Sequence, residues 1–397
     1  MKTQQTIPWY VLPVIVFAQF AGTSLWFASN AVMNDLSIAF GLGQGAVSDL
    51  TSAVQFGFIA GTLVFALLNL ADRFSPSALF LWSAGFGALF NAMVVWYPAG
   101  LSGLLIYRFL TGFFLAGIYP VGMKIAADWF AGQLGKALGL LVGALVLGTA
   151  LPHLIRSLGA QLEWSSVILA VSSLAAVGGL LLFSMVPDGP HRKPGTQFNP
   201  RALFEVFKKP DFRAATFGYF GHMWELYAFW TFVPILLQYY LELHPTLEFD
   251  LSLWAFIIIA VGFIGCTVGG YISLKKGSAW VAFVLLTTSL LCCLLSVFMY
   301  SFPPFVFLIF LLIWGVSVVG DSPQFSTLTA QTAPKEWVGS ALTISTCLGF
   351  SITIFSIQIL KQYQVNGQIE WALLWLVPGP ILGLLATIPL LKKEHKR

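Results

Sequence analysis

Four ionisable residues, Arg108, His222, Glu225 and Asp321, lie deep within long apolar stretches of this sequence. An ionised group at the middle of a bilayer costs roughly 2.5 to 3.5 kcal/mol even on a lenient insertion scale, so such residues generally face a cavity or a partner. Arg108 is a fixed cation that could take the carboxylate of a small molecule, or could anchor to backbone carbonyls of a neighbouring helix. Glu225 and Asp321 are carboxyls that can bind and release a proton as their surroundings change, or can sit in static ion pairs. His222 stands one helical turn before Glu225, so the two could share a proton.

Other chemistries lack their residues. No HExxH, GxSxG or GxxxxGK[ST] pattern occurs, and the nearest phosphate-loop mimic, Gly132-Gln133-Leu134-Gly135-Lys136-Ala137, has the wrong spacing and no hydroxyl after the lysine. ATP is therefore not expected to drive this chain. The four cysteines, Cys266, Cys292, Cys293 and Cys347, fall in apolar runs with neither metal-ligand spacing nor a disulfide framework. No metal, no cofactor and no enzymatic activity are expected. A membrane enzyme or sensor would gather its acid, base or ligand groups at one place, whereas here they recur on widely separated helices. What remains is movement of a solute, either downhill or coupled to an ion gradient, and the titratable set favours protons over sodium.

These residues must be held by elements that live in lipid. Of 397 residues 58% are apolar and only 9% charged, with a mean hydropathy of +0.84. A soluble domain would carry about a quarter charged residues. At roughly 20 apolar residues per span, the chain holds about a dozen. Breaking apolar windows at Gly, Pro and charge clusters predicts helices near 9–33, 47–71, 77–97, 101–127, 133–157 and 163–186, then 213–241, 250–274, 279–300, 304–332, 337–361 and 369–391. The first run is too long for a signal-peptide core and is expected to stay as a membrane helix. The expectation is an all-α membrane protein of 12 transmembrane helices, with an amino-terminal unit over 1–186, a linker over 187–212 and a carboxy-terminal unit over 213–397.

Alternate loops differ in charge. One side holds Lys2, Arg73, Lys136, Arg192, Lys193, Arg201, Lys208, Lys209, Arg213, Lys275, Lys276, Lys335, Lys392, Lys393, Lys396 and Arg397, sixteen of the twenty basic residues. The other holds acids: Asp35, Glu163, Glu242, Glu248 and Asp250. Basic residues are retained on the cytoplasmic side, so both termini and the linker are expected there, in an integral multi-pass protein of a bacterial cytoplasmic membrane. The net charge of +4 is too small and too segregated for nucleic-acid binding. The linker reads as a solvated tether with a short amphipathic helix near Arg201 to Lys209. Lys124 and Asp128, one turn apart, are expected to pair at the cytoplasmic end of the fourth span. His153 and Arg156 are expected near the outer end of the fifth span, as gate or rim.

The two sets of six helices share punctuation. Gly117-Ile118-Tyr119-Pro120 parallels Gly320-Asp321-Ser322-Pro323, and Gly135-Lys136-Ala137-Leu138 parallels Gly339-Ser340-Ala341-Leu342 at nearly the same distance onward. Together with Leu70-Ala71-Asp72-Arg73 between spans two and three, and with Arg108 and Gly112 in span four, this resembles the major facilitator superfamily over the whole chain. Its cytoplasmic motif would want Gly at 68 and 75 and basic residues at 76 and 77, where this chain has Leu68, Ser75, Pro76 and Ser77. Gly143, Gly148 and Pro152 are similar to an exporter-associated glycine motif without its Gly-Pro pair.

The resemblance implies two pseudo-symmetric six-helix bundles around a central cavity lined by helices one, four, seven and ten. Spacing alone places a polar stripe on each of those four. They are Gln19, Thr23, Trp26 and Asn30; Arg108, Thr111 and Tyr119; Tyr219, His222 and Glu225; and Ser317, Asp321, Gln324 and Gln331. Arg108, His222, Glu225, Asp321, Gln19, Asn30, Tyr119 and Gln324 are the candidate solute-binding or coupling residues. Asp72, Arg73, Lys124 and Asp128 are the candidate gate. The expected function is secondary transport of a small organic solute, anionic or zwitterionic, by alternating access with a proton gradient as energy source. Partners are expected to be that solute and the lipid bilayer, with the protein a monomer. The rival within the class is proton-linked efflux of hydrophobic or drug-like compounds; from another class comes a membrane enzyme or sensor without transport.

Overall fold

The computed structural model describes residues 7–97, 99–130, 134–192 and 202–394, and among them every regular element is helical. Lys2, Lys193, Arg201, Lys396 and Arg397 of the basic set lie outside the described residues. Twelve spanning units follow one another. α1 runs over Val11–Thr23 and continues as Ala28–Ala31 and Met33–Phe40. α2 is Ala46–Leu67, α3 is Pro76–Trp96, and α4 is Gly100–Leu115 followed by Tyr119–Trp129. α5 is Leu134–Leu158 and α6 is Trp164–Met185. α7 is the unbroken Pro210–Leu243. α8 is Leu251–Ala260 with Gly262–Lys276, and α9 is Ser278–Leu295 with a 3₁₀ extension Ser296–Ser301. α10 is Pro304–Gly320 with Ser322–Thr332, α11 is Val338–Val365, and α12 combines Ile369–Ala372, Leu373–Leu376 and Pro378–Glu394.

Ten helices among the described residues are long and apolar enough to cross a membrane. α1 and α7 are not among them. α1 is cut to 13 residues before its chain unwinds at 24–27, and α7, though 34 residues long, carries His222 and Glu225 through its middle. Those are the first helices of the two halves.

Helix ends follow local chemistry. Ser75 caps α3 by accepting from the Ala78 N–H, and Asp250 caps α8 by accepting from the Leu253 N–H. Pro76, Pro210 and Pro304 open α3, α7 and α10, where a missing N–H costs nothing. The carboxylate of Glu394, at the end of α12, accepts from the Ala279 and Trp280 N–H groups that begin α9. The repeated Gly-x-x-Pro marks equivalent breaks: α4 unwinds over 116–118 just before Tyr119-Pro120, and α10 breaks at Asp321 just before Ser322-Pro323. The short helix Ala202–Glu205 with the 3₁₀ turn Val206–Lys208 occupies the place read as amphipathic before α7.

Within the first half α4 packs on α2, α3 on α6, and α1 on α5 and α6; within the second α7 packs on α11 and α12, and α8 on α10. The halves meet where α2 lies along α11 and α5 along α8. Glycine permits the closest approach: a Cβ on Gly57 of α2 would lie 1.9 Å from the Phe109 carbonyl of α4, and one on Gly112 of α4 would lie 2.0 Å from the Val54 carbonyl.

Polar contacts between the halves, among the described residues, gather on the acidic face. The Lys361 Nζ of α11 lies 2.7 Å from Asp49 Oδ1 of α2. Gln358 Nε2 donates to Ser52 Oγ and Asp49 Oδ1, and Ser157 donates to Asp250. Beneath them an aromatic seam crosses the interface, with Trp26 against Tyr227 and Phe350 at ring-centroid distances of 5.5 and 5.6 Å, Phe27 against Trp230 at 6.2 Å and Phe58 against Phe350 at 4.5 Å.

Candidate functional site

Arg108 is buried and tied directly to two elements. Its Nη2 donates to the Leu25 carbonyl at 3.0 Å and the Trp26 carbonyl at 2.5 Å, both in the unwound stretch of α1. Its Nη1 donates to Asn91 Oδ1 of α3 at 2.8 Å, and Asn91 Nδ2 donates in turn to Ser172 Oγ of α6 at 2.9 Å. Among the described residues its Nε alone finds no hydrogen-bond partner. Of the two roles open to Arg108, this geometry realises the anchor: a guanidinium satisfies carbonyls that a broken helix leaves without helical partners. The anchored carbonyls belong to Leu25 and to Trp26, the residue at the centre of the aromatic seam, and Trp26 Nε1 also donates to Gln55 of α2 at 3.3 Å. Asn91 and Ser172 are not among the candidates the sequence suggests; an Asn inside the apolar helix next to the one that carries the buried Arg is the signal that could have found Asn91.

His222 faces Asp321, not Glu225. Nδ1 lies 2.8 Å from Asp321 Oδ1, with both side chains 1% exposed. The break in α10 explains the pairing, because Asp321 occupies the one residue between the two helical segments and reaches α7 from there. Neither imidazole nitrogen of His222 and neither carboxylate oxygen of Asp321 makes an aligned hydrogen bond among the described residues, so the two groups meet at contact distance without one. Tyr219 and Phe325 flank the imidazole, at ring-centroid distances of 6.0 and 6.1 Å.

Glu225, one turn further along α7, is also buried, with neutral partners. Ser289 Oγ of α9 donates to Oε2 at 2.8 Å, Trp314 Nε1 of α10 donates to Oε1 at 2.5 Å, and Cys293 Sγ approaches Oε1 at 3.5 Å. Ser289 Oγ also lies 3.2 Å from the Leu286 carbonyl. One hydroxyl proton cannot serve both acceptors at once, so the site accommodates either protonation state of Glu225. With the proton of Ser289 on Leu286, a protonated Glu225 donates to Ser289; with it on Glu225, the carboxylate is the acceptor. Glu225 thus faces the interior of the second bundle, towards α9 and α10.

The remaining polar candidates divide. Asn30 Nδ2 donates to Thr51 Oγ1 of α2 at 2.9 Å, whose hydroxyl donates to the Val47 carbonyl. Gln19 is fully buried with neither amide atom hydrogen-bonded among the described residues, and its Oε1 lies over Gly122 of α4, where a Cβ would come within 2.2 Å of it. Tyr119 is partly exposed, and Gln324 is buried one turn beyond Asp321. Among the described residues no group of three or more His, Cys, Asp or Glu side chains is placed to hold a metal ion.

On the basic face, Lys124 Nζ lies 2.9 Å from Asp72 Oδ1, so the expected Lys124–Asp128 pair is replaced by one between α4 and the α2–α3 turn. Asp128 instead lies buried under residue 189, where a Cβ on Gly189 would come within 2.5 Å of the Asp128 backbone. Arg73 is exposed. On the acidic face Arg156 pairs with Asp35 at 3.0 Å, a rim position as expected, whereas His153 is buried and not at the rim.

Comparison with known proteins bears on this arrangement. The profile of the Major Facilitator Superfamily matches residues 15–357. A metabolite transport protein of Haemophilus influenzae is 28% identical over 140 residues, which is 33% of this chain and 33% of that protein, so the chain spans a third of the length of the curated relative it matches. The solved structure of the nucleoside transporter NupG superposes with a TM-score of 0.71 at 13% identity, covering 97% of this chain and 99% of that one. A bacterial homologue of the human lysosomal transporter Spinster, in an inward-facing and unoccupied conformation, superposes with a TM-score of 0.67 at 12% identity over 97% of this chain and 96% of that one. At such identities these likenesses are of fold. With the family profile running from α1 into α11, the chain belongs to the Major Facilitator Superfamily of membrane transporters.

Proposed function

We propose that this protein is a proton-coupled secondary transporter of a small organic solute, working as a monomer by alternating access, with its basic face towards the cytoplasm. The observation that carries the reading is the His222–Asp321 pair: two ionisable side chains, both 1% exposed, meeting at the break of α10. Burying such a pair costs several kcal/mol per ion when both are charged, and transfer of the proton from imidazolium to carboxylate makes both neutral. Loss or gain of a proton by the pair leaves one uncompensated buried charge, so a change in proton count is tied to a change in the surroundings of the pair. A helix break next to it supplies the movable joint, as discontinuous helices do at membrane binding sites.

The direction of closure fits the same cycle. Ion pairs and hydrogen bonds join the halves on the acidic face, at Asp49, Lys361, Gln358, Ser157 and Asp250, and the aromatic seam lies beneath them. A cycle that opens that face must break these contacts and form others on the basic face, where Asp72 and Lys124 stand. An anionic or zwitterionic solute is the preferred class, with Arg108 the cation that would meet its carboxylate through exchange of its hydrogen bonds to α1. The seam of Trp26, Phe58, Tyr227 and Phe350 supports a second reading, efflux of hydrophobic compounds.

Both readings are tested with purified protein in liposomes, given a mixture of metabolites and hydrophobic amines and an imposed pH gradient, with contents read by mass spectrometry. Accumulation of a polar organic acid or amino acid, abolished by a protonophore, is the expected result. Accumulation of hydrophobic compounds alone would select efflux, and conversion of a compound without flux would overturn transport.

A further inference from the structure

The linker does not begin as a solvated tether. Residues 186–192 lie across the basic end of the first bundle, and among the described residues each hydrogen bond they make outside their own segment is to that bundle. The Val186 carbonyl accepts from Ser77 Oγ at 2.7 Å, and the Pro187 carbonyl accepts from Trp129 Nε1 at 3.0 Å. Asp188 Oδ1 accepts from Ser75 Oγ at 2.7 Å. The His191 N–H donates to the Asp128 carbonyl at 3.0 Å. Arg192 ion-pairs with Asp188 through Nη1, while its Nη2 donates to the Phe74 carbonyl at 2.7 Å and the Asp72 carbonyl at 3.2 Å.

These contacts close a ring. From the turn Leu70–Arg73, the Asp72 carboxylate reaches Lys124 of α4; α4 leads to the Asp128 carbonyl; that carbonyl holds His191; and Arg192 returns to the carbonyls of Asp72 and Phe74. We infer that Arg192 is a positioning residue for the Asp72–Lys124 pair, and that residues 186–192 are a strap of the first bundle through which the linker bears on that pair. After Phe74 the α2–α3 connection offers no cation, since Ser75, Pro76 and Ser77 follow, and Arg73 before it is exposed; the guanidinium on the Phe74 carbonyl comes from 118 residues further along the chain. Gly189 is required for close approach, because any side chain there would meet the Asp128 backbone. The ionisable groups around Arg192 are Asp188 and Asp128, with Asp72 and Lys124 beyond the carbonyls it holds.

The test uses the full-length protein and needs neither a solute nor a pH gradient, so its failure is separate from failure of the proton-coupling reading. In Arg192→Ala, backbone amide exchange at Asp72, Phe74 and His191 should quicken on the order of tenfold, as for loss of charge-assisted hydrogen bonds. Acetylation of Lys124 by a water-soluble succinimidyl ester should rise severalfold as its partner loosens. Gly189→Val should do the same without changing any charge, Arg192→Lys should recover part of the protection, and His191→Ala, which leaves the backbone N–H in place, should match the native protein. Unchanged Lys124 labelling and unchanged exchange at 72–74 in Arg192→Ala would overturn the inference. So would faster exchange spread equally through α6, since that reports a loosened fold.

Discussion

Replacing Asn91 with alanine separates the anchoring role of Arg108 from a role confined to the solute. The substitution removes the acceptor for Arg108 Nη1 and the bond from Asn91 to Ser172, while leaving both bonds from Nη2 to α1. A hydrogen bond to a charged group is worth about 1.5 to 3 kcal/mol, and interhelical bonds measured in membrane proteins average about 0.6 with a maximum near 1.7, so Asn91→Ala should cost about 1 to 2 kcal/mol. Arg108→Gln also strips the donor from the Leu25 and Trp26 carbonyls and should cost more, about 2 to 5 kcal/mol for three interhelical bonds at about 0.6 to 1.7 each. Once the guanidinium is gone, Asn91 has less to lose. The double variant should therefore lie only slightly below Arg108→Gln, with a coupling energy of about 1 to 2 kcal/mol between the two sites. Unfolding of the four proteins in mixed micelles measures this directly. Additivity within about 0.5 kcal/mol, the scatter expected of independent sites, would refute the anchor, as would an Arg108→Gln variant of native stability that has lost only transport.

Two further outcomes follow from the packing. Gly57→Ala places a methyl group 1.9 Å from the Phe109 carbonyl, so α2 and α4 must separate at an overpacking cost of about 1 to 3 kcal/mol; Gly85→Ala, with nothing within 4 Å, should leave the melting temperature nearly unchanged. Lys361→Met removes the ion pair with Asp49, whose partners are about a fifth to a quarter exposed. At about 1 kcal/mol, the upper end for such surface-accessible pairs, the ratio of closed to open acidic face should fall roughly fivefold, which distances between spin labels at positions 44 and 366 would report as a broader, longer distribution.

Much of the fold is legible in the sequence because lipid imposes so simple a pattern. Most span ends fall within a few residues of the Gly, Pro and charge clusters that mark them, and the repeated Gly-x-x-Pro foretells matching breaks in α4 and α10. α1 is the exception: its apolar run does not reveal that the chain unwinds between Thr23 and Ala28, since the anchoring donor comes from Arg108, some 80 residues away.

The candidate residues are legible one by one, their pairings much less so. Helical spacing put His222 beside Glu225 and Lys124 beside Asp128, yet His222 meets Asp321 and Lys124 meets Asp72. Periodicity reports the face a residue occupies and is silent on which neighbouring helix that face meets. The cavity side of α7 also cannot be told by spacing from the side that turns Glu225 towards Ser289 and Trp314. Both are one turn of the same apolar helix.

Asp321→Asn is the variant that bears most directly on proton coupling. It keeps the shape of the side chain next to His222 and removes its capacity to carry a proton. In liposomes loaded with whichever solute the mixture identifies, solute–solute exchange without a gradient should continue at a measurable rate, while accumulation driven by an imposed pH gradient should vanish. Gradient-driven accumulation that persists in Asp321→Asn at the native level would contradict the assignment of the His222–Asp321 pair as the coupling site.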